Sequence, residues 1–242
     1  MAKVNKEKFK VYEGVFDEFT LDILEELRRK KYIDSINNPI KTGKEGDVYF
    51  AKKEDELRAI KIYRITSANF RKISEYITRD FRFKNIKGNM RKVILAWVEK
   101  EFRNLNLCYK KGMNVPKPFK QKGNVIIMEY IEGDMLKNTA LSNPARFLEI
   151  LLDQLKIMIN DANLIHGDLS EFNILVKDDI PFIIDMGQSM SIKNYSDFKA
   201  YYDLFERDIK NIVNYFNKMY NLNISLEKII KDLEPKSVLE ED

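Results

Sequence analysis

HGDLSEFN (166–173) and IIDMG (183–187) decide the reading of this 242-residue chain. In the first stretch Asp168 is followed five residues later by Asn173. One loop can therefore face a carboxylate toward an acceptor hydroxyl and turn an amide oxygen toward a cation. In the second stretch an apolar strand ends in Asp185, and Gly187 frees the turn that follows. An acid at a strand end suits a magnesium ion. Taken singly, the first is matched by a polar loop with an Asp cap and the second by an ordinary turn Asp. Together, in this order and spacing, they point to phosphoryl transfer. The only histidine, His166, opens the same loop. With Asp168 already in the base position, His166 is expected to shape the turn rather than carry a proton.

Upstream, KTGKEGDVYFAKK (41–53) and LRAIKIYRI (57–65) read as two antiparallel strands joined by the charged turn Lys53–Glu56. They bring a glycine-containing turn, TGKEGDVY, before a strand lysine, Lys61. These are the parts needed to cover phosphates and place a cation on them. Glycines in a hairpin are common, and a lone strand lysine is often only a snorkelling one. A helix follows, with Val93, Leu95, Ala96, Trp97, Phe102, Leu105 and Leu107 at helical spacing and Gly112 at its end. It carries Glu99 and Glu101, either of which can pair with Lys61. Glu101 is preferred, because Phe102 and Leu105 anchor the adjoining face.

The rest of the pattern is coarser. From Thr20 the sequence is helical, with Leu21, Leu24 and Leu27 on one face. Residues 66–90 are polar and without a clean period, and are expected to form a long mobile loop with some helix. VPKPF (115–119) cannot be regular helix. NVIIMEYI (124–131) reads as a buried strand broken by Gly133–Asp134. A helix is expected around Phe147–Met158, two short strands around the HGD and DMG loops, and one long amphipathic helix from Asp197 to Lys218. Its apolar side carries Phe198, Tyr201, Phe205, Ile209, Ile212, Val213 and Phe216. The expected fold is α+β and protein-kinase-like, with two lobes and a ligand site between them. A helical extension (1–35) precedes a small antiparallel-sheet lobe (36–131), with a flexible loop at 66–90. A mainly helical lobe (132–242) follows, trimmed after Asp185.

Composition narrows the class. Net charge is +4, from 42 Lys and Arg against 38 Asp and Glu. A surface this rich in both signs is ordinarily just solvated, although it permits phosphate-rich partners. The single cysteine, Cys108, excludes an internal disulfide, fits a reducing compartment, and is expected to be a packed thiol. No stretch suits a signal peptide or a membrane span, so a cytoplasmic protein with no membrane partner is expected.

TGKEGDVY, the long loop before WVEKEFRNL, MEYI, HGDLSEFN and IDMGQS together resemble the RIO family of atypical serine/threonine protein kinases over residues 36–218. IDMGQS is most like the type-1 branch. The segment before Lys41 is too short for the winged-helix domain of the type-2 branch. Lys41 stands where the type-1 pattern has Ser, and Gly46–Asp47 where it reads Ala-Asn, which leans toward type 2. The resemblance implies Asp168 as catalytic base, and Asn173 and Asp185 as ligands of magnesium, or alternatively manganese. It gives Lys61 to the ATP phosphates, paired with Glu101. Thr42, Gly43, Lys44, Glu45 and Val48 become the phosphate loop, with the backbone of Glu129 and Ile131 on the adenine and Met128 beside it. It also implies an aspartyl-phosphate on Asp185, hence ATPase turnover, and autophosphorylation at Ser67 or Ser74. The implied partner is a pre-small-ribosomal-subunit particle of rRNA and protein. No A-P-E motif follows Asp185, so the peptide-docking platform of ordinary kinases is expected to be missing. Two alternatives stand beside this one: an ATP-gated assembly factor with little turnover, and a small-molecule kinase, which also uses an HGD loop.

Overall fold

The computed structural model describes residues 16–65, 70–80, 82–83, 86 and 89–235. They fall into two compact units: the chain up to Glu99 together with Pro118–Tyr130, and Lys100–Lys117 together with the chain from Ile131 onward.

In the first unit, α1 (Glu18–Arg29) starts where Asp17 accepts the Thr20 N–H at 2.9 Å. Glu18 in its first turn and Arg28 and Arg29 in its last complement the helix dipole. The sheet is antiparallel, ordered β1-β2-β3-β5-β4. Its strands are β1 (Ser35–Thr42), β2 (Gly46–Lys53), β3 (Glu56–Tyr63), β4 (Pro118–Lys122) and β5 (Val125–Glu129). The β2–β3 hairpin closes at Lys53 and Glu56 as the sequence implies, and pairs Val48 with Lys61. Strand β1 is not foreseen, because SINNPIKT lacks alternation. It survives as an edge strand, where Pro39 needs no ladder N–H and the register slips on both sides of it. Strand β4, within VPKPFKQK, is likewise unforeseen.

One expectation is corrected here. The described residues from 16 to 35 are not an extension outside the sheet unit. Ile23, Leu24, Leu27 and Ile33 form one core with Tyr49, Ala51, Ile60, Ile62, Val125 and Ile127. Asn124 ties α1 to the sheet, donating to Thr20 Oγ1 at 2.9 Å and to Tyr63 O at 2.7 Å. Within 66–90 lies a ten-residue helix, α2 (Phe70–Arg79), with Ile73, Tyr76 and Ile77 buried. Tyr76 meets Trp97 edge-on at 6.1 Å. Trp97 belongs to α3 (Met90–Lys110), whose residues are divided between the units and whose chain turns at Gly112 with φ 80°.

In the second unit β6 (Asp134–Met135), β8 (Ile174–Lys177) and β9 (Ile180–Ile183) form one small sheet, and β7 (Leu164–Ile165) pairs with β10 (Met190–Ser191). Asn143 caps α4 (Pro144–Lys156), which runs on as a wider turn through Ile157–Asp161. The single long helix expected from Asp197 is two helices, α5 (Tyr195–Ala200) and α6 (Tyr202–Tyr220), because Tyr201 at φ −118°, ψ 14° leaves helical geometry. The break lets Phe198 pack edge-on against both Tyr202, at 5.7 Å, and Phe205, at 5.3 Å. A last helix, α7 (Leu226–Leu233), packs Ile229 and Leu233 inward. Among the described residues no helix is long and apolar enough to cross a membrane.

Candidate active site

The first unit offers one face of its sheet. Residues directly opposite in antiparallel strands share a face. Tyr49, Ile60 and Ile127 lie in the core with α1, so their neighbours point the other way. Those neighbours are Val48, Lys61 and Ile126 in one row, and Phe50, Ala59 and Met128 in the next. The sheet therefore brings Val48, Lys61 and Met128 to one surface. Lys61 is half-buried, its Nζ 5.0 Å from the Tyr63 ring. Thr42 ends β1 opposite Asp47, and Gly43, Lys44 and Glu45 make the turn into β2, with Lys44 exposed. Glu129 ends β5. Just beyond it, the Ile131 carbonyl accepts from Gly133 N–H at 2.9 Å.

The second unit gathers the carboxylates. The β8–β9 hairpin turns on Asp178 and Asp179, both at positive φ, as a tight two-residue hairpin requires. Its open end brings Asp185 one residue past the partner of Asn173: Ile184 N–H donates to Asn173 O at 3.0 Å, and Asp185 is the next residue. Asp185 is exposed, with φ 68° and ψ 68°, a left-handed conformation that Asp tolerates better than most residues. Asn173 donates through Nδ2 to Asp168 O at 2.7 Å, which leaves Oδ1 available to a cation. His166 is 2 % exposed; Nε2 lies 3.1 Å from Ile184 O, and Nδ1 accepts from Asp168 N–H at 3.3 Å. That pair of contacts occupies both ring nitrogens. The ring shapes the turn, as expected of it.

Several residues that hold this arrangement were not foreseen. Gln188 donates to Asp168 Oδ2 at 2.8 Å. Asp208 of α6, 3 % exposed, accepts from Gly167 N–H at 2.7 Å and Leu169 N–H at 2.8 Å. Arg207 donates to Gly167 O, and Asn211 donates to Leu169 O at 3.0 Å. Burial pushes the Asp208 carboxyl up to about 6, against the opposite pull of His166, the two N–H groups and Arg207. Gly167 has φ 79°, and a Cβ there would sit 2.8 Å from Gln188 O, so the loop needs glycine. From α3, Lys100 donates to Gly187 O at 2.8 Å and Asn104 to Met186 O at 3.0 Å, fixing the turn after Asp185. The sequence did hold signals for some of these. Asp208 interrupts the apolar stripe of Phe205, Ile209 and Ile212. Lys100 and Asn104 stand one turn apart between Trp97 and Cys108.

Glu101 is 3 % exposed and Glu99 half-buried. Ser74 lies in α2 and is half-buried, whereas Ser67 lies outside the described residues. Among the described residues no three His, Cys, Asp or Glu side chains cluster as a metal cage. Magnesium does not require one, since it binds through one or two oxygen ligands, keeps waters and takes the rest from phosphates. Asn173 Oδ1 and the Asp185 carboxylate are hard-oxygen donors of the type magnesium takes.

A mostly antiparallel sheet unit and a mainly helical unit with this loop pair define the α+β protein-kinase-like class. The fold matches the Rio2 kinase–ADP/Mg2+–phosphoaspartate complex from Chaetomium thermophilum with a TM-score of 0.67, at 22% identity, over 90% of this chain and 67% of that one. The RIO domain model matches residues 47–229, and the chain belongs to the RIO family. It is 36% identical over 217 residues to the RIO-type serine/threonine-protein kinase Rio1 of Methanocaldococcus jannaschii, covering 88% of this chain and 73% of that protein. It is 34% identical over 226 residues to Rio1 of Haloferax volcanii, covering 90% and 76%. These Rio1 relatives make the chain most like the type-1 branch.

Proposed function

We propose that this protein is an ATP- and magnesium-dependent serine/threonine kinase with an ATPase cycle, acting in maturation of the small ribosomal subunit. The observation that carries the chemistry is Asp168 gripped by Gln188 and Asn173, with Asp185 one residue past the partner of Asn173 at the hairpin end. Membership of a family whose relatives are named kinases supports the reaction class and argues against a small-molecule kinase. The ribosomal partner rests on the family resemblance.

In this reading the oxygen of an acceptor serine attacks the γ-phosphorus of ATP. The bond to the β–γ bridging oxygen breaks, ADP leaves, and the hydroxyl proton passes to Asp168. Asn173 Oδ1 and Asp185 would hold magnesium, which would supply charge neutralisation at the phosphates. Lys61 offers its ammonium to the phosphates. The family resemblance gives it Glu101 as its carboxylate partner. Val48 and Met128 flank the base. The adenine edge meets the backbone of Glu129 and the N–H of Ile131, whose carbonyl is already taken. In the ATPase branch an Asp185 oxygen is the attacking atom, and water then releases phosphate from the acyl phosphate. The phosphoaspartate of the Chaetomium complex belongs to that protein; for this chain the exposure of Asp185 supports the branch.

The test uses radiolabelled ATP with magnesium. Asp168→Ala should abolish acid-stable phosphoserine while ATP still binds. Transfer at the wild-type rate in that variant removes Asp168 as the base. A hydroxylamine-labile phosphate that disappears in Asp185→Ala supports the ATPase branch, and its absence from wild type eliminates that branch.

A further inference from the structure

Arg64, just past β3, is bound both to the turn joining β1 and β2 and to the start of β2. Its N–H donates to Glu45 O at 3.0 Å. Its guanidinium spans the carboxylate of Asp47, with Nη2 2.9 Å from each oxygen and Nε 3.3 Å from Oδ2. Asp47 Oδ1 also accepts Gly43 N–H at 3.2 Å, and Asp47 is 7% exposed. Gly46 permits this approach: a Cβ there would lie 2.3 Å from Ile62 O.

The arrangement answers a chemical difficulty. The turn carrying Gly43 and Lys44 is the phosphate loop of the proposed function, yet Asp47 puts a carboxylate at its base. A bare carboxylate there repels a triphosphate. A half-exposed ion pair contributes little to stability by itself, and the Arg64 side chain is 52% exposed. The Asp47 side chain, by contrast, is nearly buried and takes donors from Gly43 at the start of the loop and from Arg64.

We infer that Arg64 is a positioning residue for the nucleotide. It cancels the charge of Asp47 and, through Asp47 and Gly43, holds the loop backbone in the shape that receives phosphate. Little ordering is then left to be done when the ligand arrives. The inference rests on the nucleotide reading above and extends it to two residues with no direct role in the transfer.

The experiment is calorimetric titration of the full chain with ATP and magnesium, and with adenosine as the uncharged probe. Arg64→Ala should weaken ATP binding roughly tenfold by exposing the carboxylate. The double variant Asp47→Asn/Arg64→Ala should recover ATP affinity to within about threefold of wild type, since the repulsive charge is gone. Adenosine affinity should stay the same throughout. If Arg64→Ala fails to fold by circular dichroism, Arg64→Gln, which keeps length and polarity without charge, takes its place with the same expected loss and rescue. Unchanged ATP affinity in the single variant overturns the inference. So does a double variant no better than the single, or a parallel loss for adenosine. A wild-type chain that binds no ATP sinks the nucleotide reading, and this inference with it; ATP binding without the charge-dependent pattern sinks the inference alone.

Discussion

Gln188 controls the atom on which the proposed proton transfer depends. Its Nε2 donates to Asp168 Oδ2, which fixes the carboxylate's orientation. Gln188→Ala should lower kcat by about tenfold with little change in KM for ATP, because the loss falls on alignment rather than binding. Gln188→Glu is the sharper case. Two carboxylates would then share one site and retain a proton between them, so the acidic limb of the pH–rate profile should move up by about one unit or more. A profile that superimposes on wild type would show that Gln188 has no hold on Asp168. At this scale the sequence was most legible. Asp168, Asn173 and Asp185 stand out as candidates because phosphoryl transfer demands particular residue types at short spacing. Gln188 adjoins that motif, yet nothing in its residue type announces an amide aimed back at Asp168.

At the scale of elements, helix α6 supports the loop that carries Asp168 through Asp208. Asp208→Ala leaves the buried N–H groups of Gly167 and Leu169 without their acceptor, and should destabilise the fold by about 2–4 kcal/mol in urea titrations. The pH dependence has a definite sign. Burial raises the Asp208 carboxyl from 3.8 to about 6, so the folded state holds its proton longer than the unfolded chain. That contribution is full below pH 3.8 and is lost as pH rises through about 6. The melting-temperature difference between wild type and Asp208→Asn should therefore shift against wild type across this window. Asp208 could not be assigned from sequence, because its partners lie far upstream and only the tertiary fold joins them. The break at Tyr201 escaped for a related reason. The apolar period runs straight across it, and the interruption comes from how Phe198 packs with Tyr202 and Phe205. Strand β1 escaped because an edge strand makes weak demands on its side chains.

For the molecule as a whole, the core under the sheet is a principal source of stability. Leu24 is 0% exposed, and Leu24→Ala should cost about 2–5 kcal/mol, read from denaturant midpoints. Acid acts on the same junction through Glu26. Lys122 first, and Lys30 with it, pull the Glu26 carboxyl down to about 2, so its contribution is present above pH 4.5 and lost as pH falls toward 2. Glu26→Gln should flatten that part of the acid-denaturation curve. The two-unit plan could be anticipated from the run of strands followed by helices. The inclusion of α1 in the sheet unit could not, because an amphipathic helix does not say which surface it covers. Cys108 turns burial into an experimental handle. It is the only thiol in the chain, is 0% exposed, and its pKa is pushed up to about 12 by burial. In the native protein it should be silent to maleimides and disulfide reagents, and react only when the surrounding structure opens. A fluorophore or spin label can therefore be placed on a cysteine introduced at exposed Lys44 without first removing the native one. The unmodified protein carries its own reporter of unfolding, at one equivalent of reagent per chain.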